Sequence, residues 1–214
     1  MTNRAIMFDL DGTLIDQFDA IHRAFSRVLV EMGFPAPSYE KVKRSVGGAS
    51  ETTMRKLIGE KRAEEAVDRL RPIFEEEMFT GLRALPGSME ILGSCYERGI
   101  QAAVLTNKHG PHARAACKHL GFCHYLEFTM GANDTEWRKP DPALTNHALS
   151  KLKISPEEAI YVGDSPYDFH TAKNAEMDCI LVATGTHTLE ELKLDKDVPV
   201  FENLFEVNHF LFDH

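Results

Sequence analysis

The sequence predicts an α/β fold, a doubly wound parallel sheet with a helical unit inserted into it, and three observations carry that prediction. Four apolar residues, Ala5-Ile6-Met7-Phe8, stop abruptly at Asp9-Leu10-Asp11-Gly12-Thr13. A run that short and apolar at every position reads as a strand buried on both faces, as parallel strands are. From residue 86 onward helical and strand-like patterns alternate, the signature of successive parallel crossovers. Residues 17 to 81, by contrast, show only helical periodicity, which is too much chain for one crossover and marks a separate subdomain. The expected division is a Rossmann-like core of residues 1–16 and 82–214 with an inserted helical unit of residues 17–81.

The first helix is read from Phe18, Ile21, Phe25, Val28, Leu29 and Met32, which recur at helical spacing ahead of Gly33 and Pro35. A glycine-bearing loop, Arg44 to Ser50, leads to a short helical pattern around Met54, Leu57 and Ile58. A longer one follows through Ala63, Ala66, Val67, Leu70, Ile73, Phe74 and Met78, where Pro72 predicts a kink. A helix over Ser88 to Arg98 closes at Gly99, ahead of a buried strand from Gln101 to Leu105. Pro111 suits the first turn of the next helix and Gly121 its end. Tyr125 to Met130 alternates as a third strand, and Pro142 to Leu152 is helical. Ser155-Pro156-Glu157-Glu158 has capping-box spacing but runs at once into the strand Ala159 to Val162, leaving room for a single turn. A helix through Ala172, a fifth strand from Cys179 to Ala183, a short helix from Thr188 and a helical tail from Phe201 to Leu211 follow.

At 214 residues, 43% hydrophobic and 27% charged, the chain has the composition of an ordinary globular protein. A formal net charge of −9 argues against nucleic-acid binding, so an anionic ligand needs local positive charge. No apolar run reaches membrane-spanning length, and the first strand begins without a signal-peptide pattern; a cytoplasmic monomer or homodimer is expected. Cys95, Cys117, Cys123 and Cys179 contain no Cys-x-x-Cys pair and read as reduced thiols. His109, His112, Cys117, His119, Cys123 and His124 lie close in sequence, but their spacing matches no usual zinc site.

Polar residues appear where the strands end: Asp9 and Asp11, Thr106 and Asn107, and Asp164 with Asp168, joined by Lys139 in a loop. Singly each has an ordinary explanation: Asp and Gly make turns, Asp168 can cap its helix, and Lys139 before Pro140 can be a solvated loop lysine. A parallel sheet, however, brings these ends to one edge. Facing carboxylates repel unless a cation lies between them, and oxygen-only ligands suit Mg²⁺. A hydroxyl, an amide and a lysine nearby are what a phosphoryl group needs.

The set Asp9-Leu10-Asp11-Gly12-Thr13, Thr106-Asn107, Lys139-Pro140 and Gly163-Asp164-Ser165-Pro166-Tyr167-Asp168, in that order, resembles the four motifs of the haloacid dehalogenase-like superfamily of phosphotransferases. Residues 17–81 resemble that family's helical cap. The resemblance implies that Asp9 is the nucleophile forming an aspartyl-phosphate, and that Asp11 protonates the leaving alcohol and later activates water. It implies Mg²⁺ held by Asp9, the backbone carbonyl of Asp11 and Asp164, with Asp168 supporting from behind. Thr106, Asn107 and Lys139 would position the phosphoryl oxygens.

The carboxylate at Asp11 argues against dehalogenation, in which no alkoxide needs a proton. Sugar-phosphate mutases of the family carry a histidine and an arginine where this chain has Ile21, beside His22, and Ser50. Thr106-Asn107-Lys108 is more like the phosphoglycolate phosphatases, which makes a small phosphorylated metabolite the expected substrate; a β-phosphoglucomutase-like phosphotransferase and a pyrophosphatase are the alternatives. A phospho-accepting signalling domain is more distant, since there the acid pair and the acceptor come from different strands. The loop from Arg44 to Ser50 is expected to choose the substrate.

Overall fold

In the computed structural model, which describes residues 4–193 and 197–213, one sheet of six parallel strands forms the centre of the molecule. β1 (Ala5–Phe8) lies between β4 (Gln101–Leu105) and β6 (Ala159–Gly163). β5 (Leu126–Met130) extends the sheet beyond β4, and β7 (Asp178–Val182) and β8 (Val200–Phe201) extend it beyond β6. The strand order therefore reverses at β1, and the crevice beyond its carboxyl end is where ligands bind in such sheets.

Alternation along β1 feeds two cores. Ile6 and Phe8 join Val104, Val162 and Ile180 beneath α5 (Ser88–Glu97), α6 (Gly110–His119) and α10 (Leu204–Phe212). Ala5 and Met7 join Ala103, Leu105, Tyr161 and Leu181 beneath α7 (Pro142–Leu152), α8 (Pro166–Asn174) and α9 (Leu189–Lys193). Because both faces are covered, the first position at which β1 can present a polar side chain to a ligand is the residue after it, Asp9.

Between β2 (Ile15–Asp16) and β3 (Arg83–Ala84) the chain is a helical layer of α1 (Phe18–Glu31), α2 (Tyr39–Ser45), α3 (Ser50–Ile58) and α4 (Ala63–Glu77). Phe18, Ile21, Phe25, Leu29, Met54, Leu70 and Phe74 form its own apolar cluster. The kink expected at Pro72 does not end the helix: α4 runs on to Glu77 with Pro72 on its exposed side. An internal proline costs about 3 kcal/mol, and burial of Ile73 and Phe74 just beyond it contributes a comparable amount, about 1.5–3 kcal/mol each. The chain leaves and re-enters the core side by side, since β2 and β3 pair antiparallel with Ile15 opposite Ala84 and Asp16 opposite Arg83. These two strands and β8, each two residues long, were not foreseen from the sequence.

The four cysteines are free thiols, with Cys123 alone exposed. The histidines of the Cys/His cluster scatter: His119 stacks on Phe79, His124 lies against Tyr96, and His109 and His112 face a cavity. Among the described residues, no helix is long and apolar enough to cross a membrane.

Candidate active site

Directly after β1 the chain folds into a tight turn in which the Leu10 carbonyl accepts from the amides of Thr13, Leu14 and Ile15. Gly12 makes the turn at φ +91°, and a Cβ there would lie 2.9 Å from the Asp164 carboxyl, so both conformation and space demand glycine. The turn keeps Asp9 beside the sheet while carrying Asp11 outward and Thr13 back. Thr13 Oγ1 donates to Asp164 Oδ1 at 3.4 Å.

Lys139 organises the buried half of the site. Its Nζ donates to Asp9 Oδ1 at 2.7 Å, Asp168 Oδ1 at 2.7 Å and the Tyr161 hydroxyl at 3.0 Å. Tyr161 in turn donates to the Leu105 carbonyl at 2.6 Å, fixing its hydroxyl as an acceptor for the lysine. The three ammonium donors are thus all engaged, and the electrostatic pull of Asp168, Asp9 and Tyr161 outweighs burial to hold the Lys139 amine well above its ordinary range. Burial raises the Asp9 carboxyl to about 6; Lys139 opposes the rise and Asp168 adds to it. Asp164 is also pushed up, first by burial and then by Asp168 and Asp9.

Asp168 is both a cap and a partner. Its Oδ2 accepts from the amides of Asp164 and Ser165 and from Ser165 Oγ, while Oδ1 takes Lys139. Carboxylate oxygens of Asp9, Asp164 and Asp168 lie within 4.8 Å of one another, a buried group that could hold a metal ion. Both oxygens of Asp168 are occupied, whereas Asp9 Oδ2 makes no hydrogen bond among the described residues and Asp164 Oδ1 has one long contact to Thr13. Asp9 and Asp164 therefore hold the open lone pairs, and an all-oxygen donor set fits a hard divalent cation. Gly185 keeps this corner small, because a Cβ there would fall 1.9 Å from Asp164 Oδ2, which accepts from Thr186 N and Oγ1.

Asp11 turns away from that group. Both its oxygens accept from Lys108 Nζ, at 3.1 and 3.0 Å, and the ammonium rests over the Phe74 ring of α4. Asn107 does something the sequence did not suggest: Oδ1 accepts from the Lys139 amide, and Nδ2 donates to the carbonyls of Lys139 and Gly47, each at 3.1 Å. It ties the lysine loop to the loop before α3, and its side chain is used up in doing so. Thr106 is buried, with Oγ1 accepting from the Lys108 amide at 3.3 Å.

A cavity of about 160 Å³ opens onto this arrangement, below the several hundred Å³ usual for drug-sized ligands. Asp9, Asp11, Thr106 and Asn107 line it from the core; Lys139 and Asp164 sit behind. The helical layer contributes Val46 to Glu51 and, from α4, Val67, Leu70, Arg71 and Phe74. Arg44, expected with the selecting loop, instead bonds Glu191 at 2.7 Å on the far side.

Residues 6–182 match the model of the haloacid dehalogenase-like hydrolases. The chain belongs to the haloacid dehalogenase-like hydrolase family. It is 33% identical over 193 residues to a phosphoglycolate phosphatase of Rhodospirillum rubrum, covering 85% of this chain and 80% of that one. A phosphoglycolate phosphatase of Rhodobacter capsulatus is 31% identical over 191 residues, covering 85% of this chain and 84% of its own. Among solved structures, a haloacid dehalogenase-like family hydrolase from Streptococcus pneumoniae superposes with a TM-score of 0.86 at 23% identity over 97% of both chains, which shows a shared fold. This haloacid dehalogenase-like hydrolase is thus an enzyme, with Asp9, Asp11, Thr106 and Asn107 lining one cavity and Lys139 bonded to Asp9 behind it.

Proposed function

We propose that this haloacid dehalogenase-like hydrolase is a Mg²⁺-dependent phosphatase that cleaves a small, phosphoglycolate-like phosphate monoester through an aspartyl-phosphate on Asp9. The observation that carries the proposal is the state of Asp9: one oxygen pinned by Lys139 at 2.7 Å, the other without a hydrogen-bond partner among the described residues, on the floor of a small cavity that Asp11 shares. A carboxylate held in this way has one oriented nucleophilic oxygen. The phosphoglycolate phosphatases at 33% and 31% identity support the substrate class.

In the first step Asp9 Oδ2 bonds to phosphorus as the ester P–O bond breaks, and the departing alkoxide takes a proton from Asp11. In the second, water bonds to phosphorus, Asp11 takes its proton, and the Asp9–phosphorus bond breaks to release phosphate. Lys108, bonded to both Asp11 oxygens, orients that side chain beside the cavity. Asp9, the Asp11 backbone carbonyl and Asp164 would hold Mg²⁺, which when bound neutralises charge on the transferring group. Asp168 and Lys139 keep those acids in place from behind, and Thr106 meets the phosphoryl oxygens. Residues 17–81 act as the cap that closes the cavity against water.

The test is phosphate release from a panel of small esters, pyrophosphate and hexose phosphates, with and without Mg²⁺, beside Asp9→Asn. Near-complete loss in Asp9→Asn is expected. Turnover like the wild type in that variant would remove the nucleophile, and a single labelling event without turnover would favour a phospho-accepting domain.

A further inference from the structure

Among the described residues, Lys108, Arg138 and Arg71 line the cavity, and the first two are matched to acids. Lys108 pairs with Asp11 at 3.0 Å, and Arg138 with Glu51 at 3.4 Å. Arg71 has no carboxylate within ion-pair distance among the described residues. Its natural partner on α4 is Glu75, one turn on, but Glu75 Oε1 lies 3.0 Å from His112 Nε2 instead. Val67, Leu70, Arg71 and Phe74 share one face of α4, and all four line the cavity. Arg71, itself exposed, therefore lines the same cavity as Asp9 and Asp11, from the helical side.

Two imidazoles stand near it. The rings of His109 and His112 lie 4.5 Å apart, and His109 Nδ1 is buried with no hydrogen-bond partner. Burial, reinforced by nearby positive charge that includes Arg71, holds both imidazoles below their ordinary range, so near neutral pH they offer hydrogen bonds rather than competing cations. The loop from Val46 to Ser50, by contrast, walls the cavity with small or apolar residues.

We propose that Arg71 is the specificity determinant of this site, receiving a carboxylate carried by the alcohol part of the ester, so that the preferred substrates are small acids phosphorylated on a hydroxyl close to their carboxyl group. The inference rests on the phosphatase reading of the same cavity. A planar guanidinium meets a carboxylate through two parallel hydrogen bonds, and the cavity of about 160 Å³ that Arg71 shares with Asp9 suits a small substrate.

The experiment compares 2-phosphoglycolate with 2-hydroxyethyl phosphate, which differ in the carboxylate. Arg71→Gln is expected to lower the ratio of their kcat/KM values by ~10- to 100-fold, the worth of a charge-assisted contact, and Arg71→Lys to restore part of it. In an Asp9→Asn background, calorimetry should show the Kd for 2-phosphoglycolate rising by a similar factor on Arg71→Gln. An unchanged ratio, or no measurable binding of 2-phosphoglycolate to Asp9→Asn, overturns the assignment. If the wild type hydrolyses neither ester while binding still depends on Arg71, the phosphatase reading fails and the carboxylate contact stands.

Discussion

Lys139 Nζ and Asp168 Oδ1 are 2.7 Å apart with their side chains 1% and 0% exposed, a fully buried ion pair directly behind the open oxygen of Asp9. Such a pair contributes little when intact, because desolvation offsets attraction, but removing one partner is costly. Asp168→Asn leaves Lys139 with a single acid and turns an amide toward the ammonium or toward the three donors that Oδ2 now satisfies. A loss of about 3–5 kcal/mol in urea unfolding is expected. A loss below ~1 kcal/mol would mean that the pair is not held as described.

The raised acids make metal-free stability depend on pH. An acid raised in the folded state binds its proton more tightly there than in the unfolded chain. Its stabilising contribution is therefore complete below the unfolded value, near pH ~4, and is lost as pH rises through the folded value. For Asp9 that window ends at about 6. In chelator, the melting temperature should fall across this window, and Asp164→Asn, which removes one raised carboxyl, should melt higher than wild type at pH 7.5. Added Mg²⁺ should raise the wild-type melting temperature more at pH 7.5 than at pH 5, and Asp164→Asn should not respond. An equal Mg²⁺ shift in that variant would place the ion elsewhere.

Gly185→Ala tests the shape of the same corner. A methyl group 1.9 Å from Asp164 Oδ2 forces the carboxylate to move. The expected result is a folded protein whose half-saturating Mg²⁺ concentration rises ~10- to 100-fold, as when outer contacts of a metal ligand are lost.

Lys108→Met keeps the stem over Phe74 and removes the ammonium from Asp11. With the proposed acid–base group no longer oriented, kcat should fall ~10- to 100-fold for every ester alike. A change confined to KM would assign Lys108 to substrate binding instead.

Asn107→Ala releases Gly47 and the Lys139 loop together. Limited proteolysis near Val46–Ala49 should accelerate in this variant, and in the wild type a phosphate analogue should slow cleavage at the crossings near Asp16 and Leu82. Equal cleavage with and without the analogue would count against closure of the helical layer.

What could be read in the sequence was whatever one-dimensional pattern forces. The apolar run of β1 ending at Asp9, the matching ends at Thr106 and Asp164, and the helix punctuation at Pro142 were all visible, because strand burial and helix caps are local. β2, β3 and β8 were not: two residues carry no periodicity. Lys108 and Arg71 were missed for another reason. A lysine after a strand and an arginine on an amphipathic helix look like solvated charges until the fold shows what they face; the one cue for Lys108 was its place directly after Thr106-Asn107. Asn107 was read as a phosphate contact because its type fits, and only the packing shows that its amide is already committed to backbone.

The antiparallel pairing of Ile15 with Ala84 and Asp16 with Arg83 sets the two ends of the helical layer side by side on the core. The segment between them begins and finishes at neighbouring points, and it meets the core again where Gly47 bonds Asn107 and Phe74 lies under Lys108. A foreign set of helices grafted onto that stem would thus have to supply its own partners for Asn107 and Lys108, while the sheet and the pair of Lys139 with Asp168 lie outside its reach.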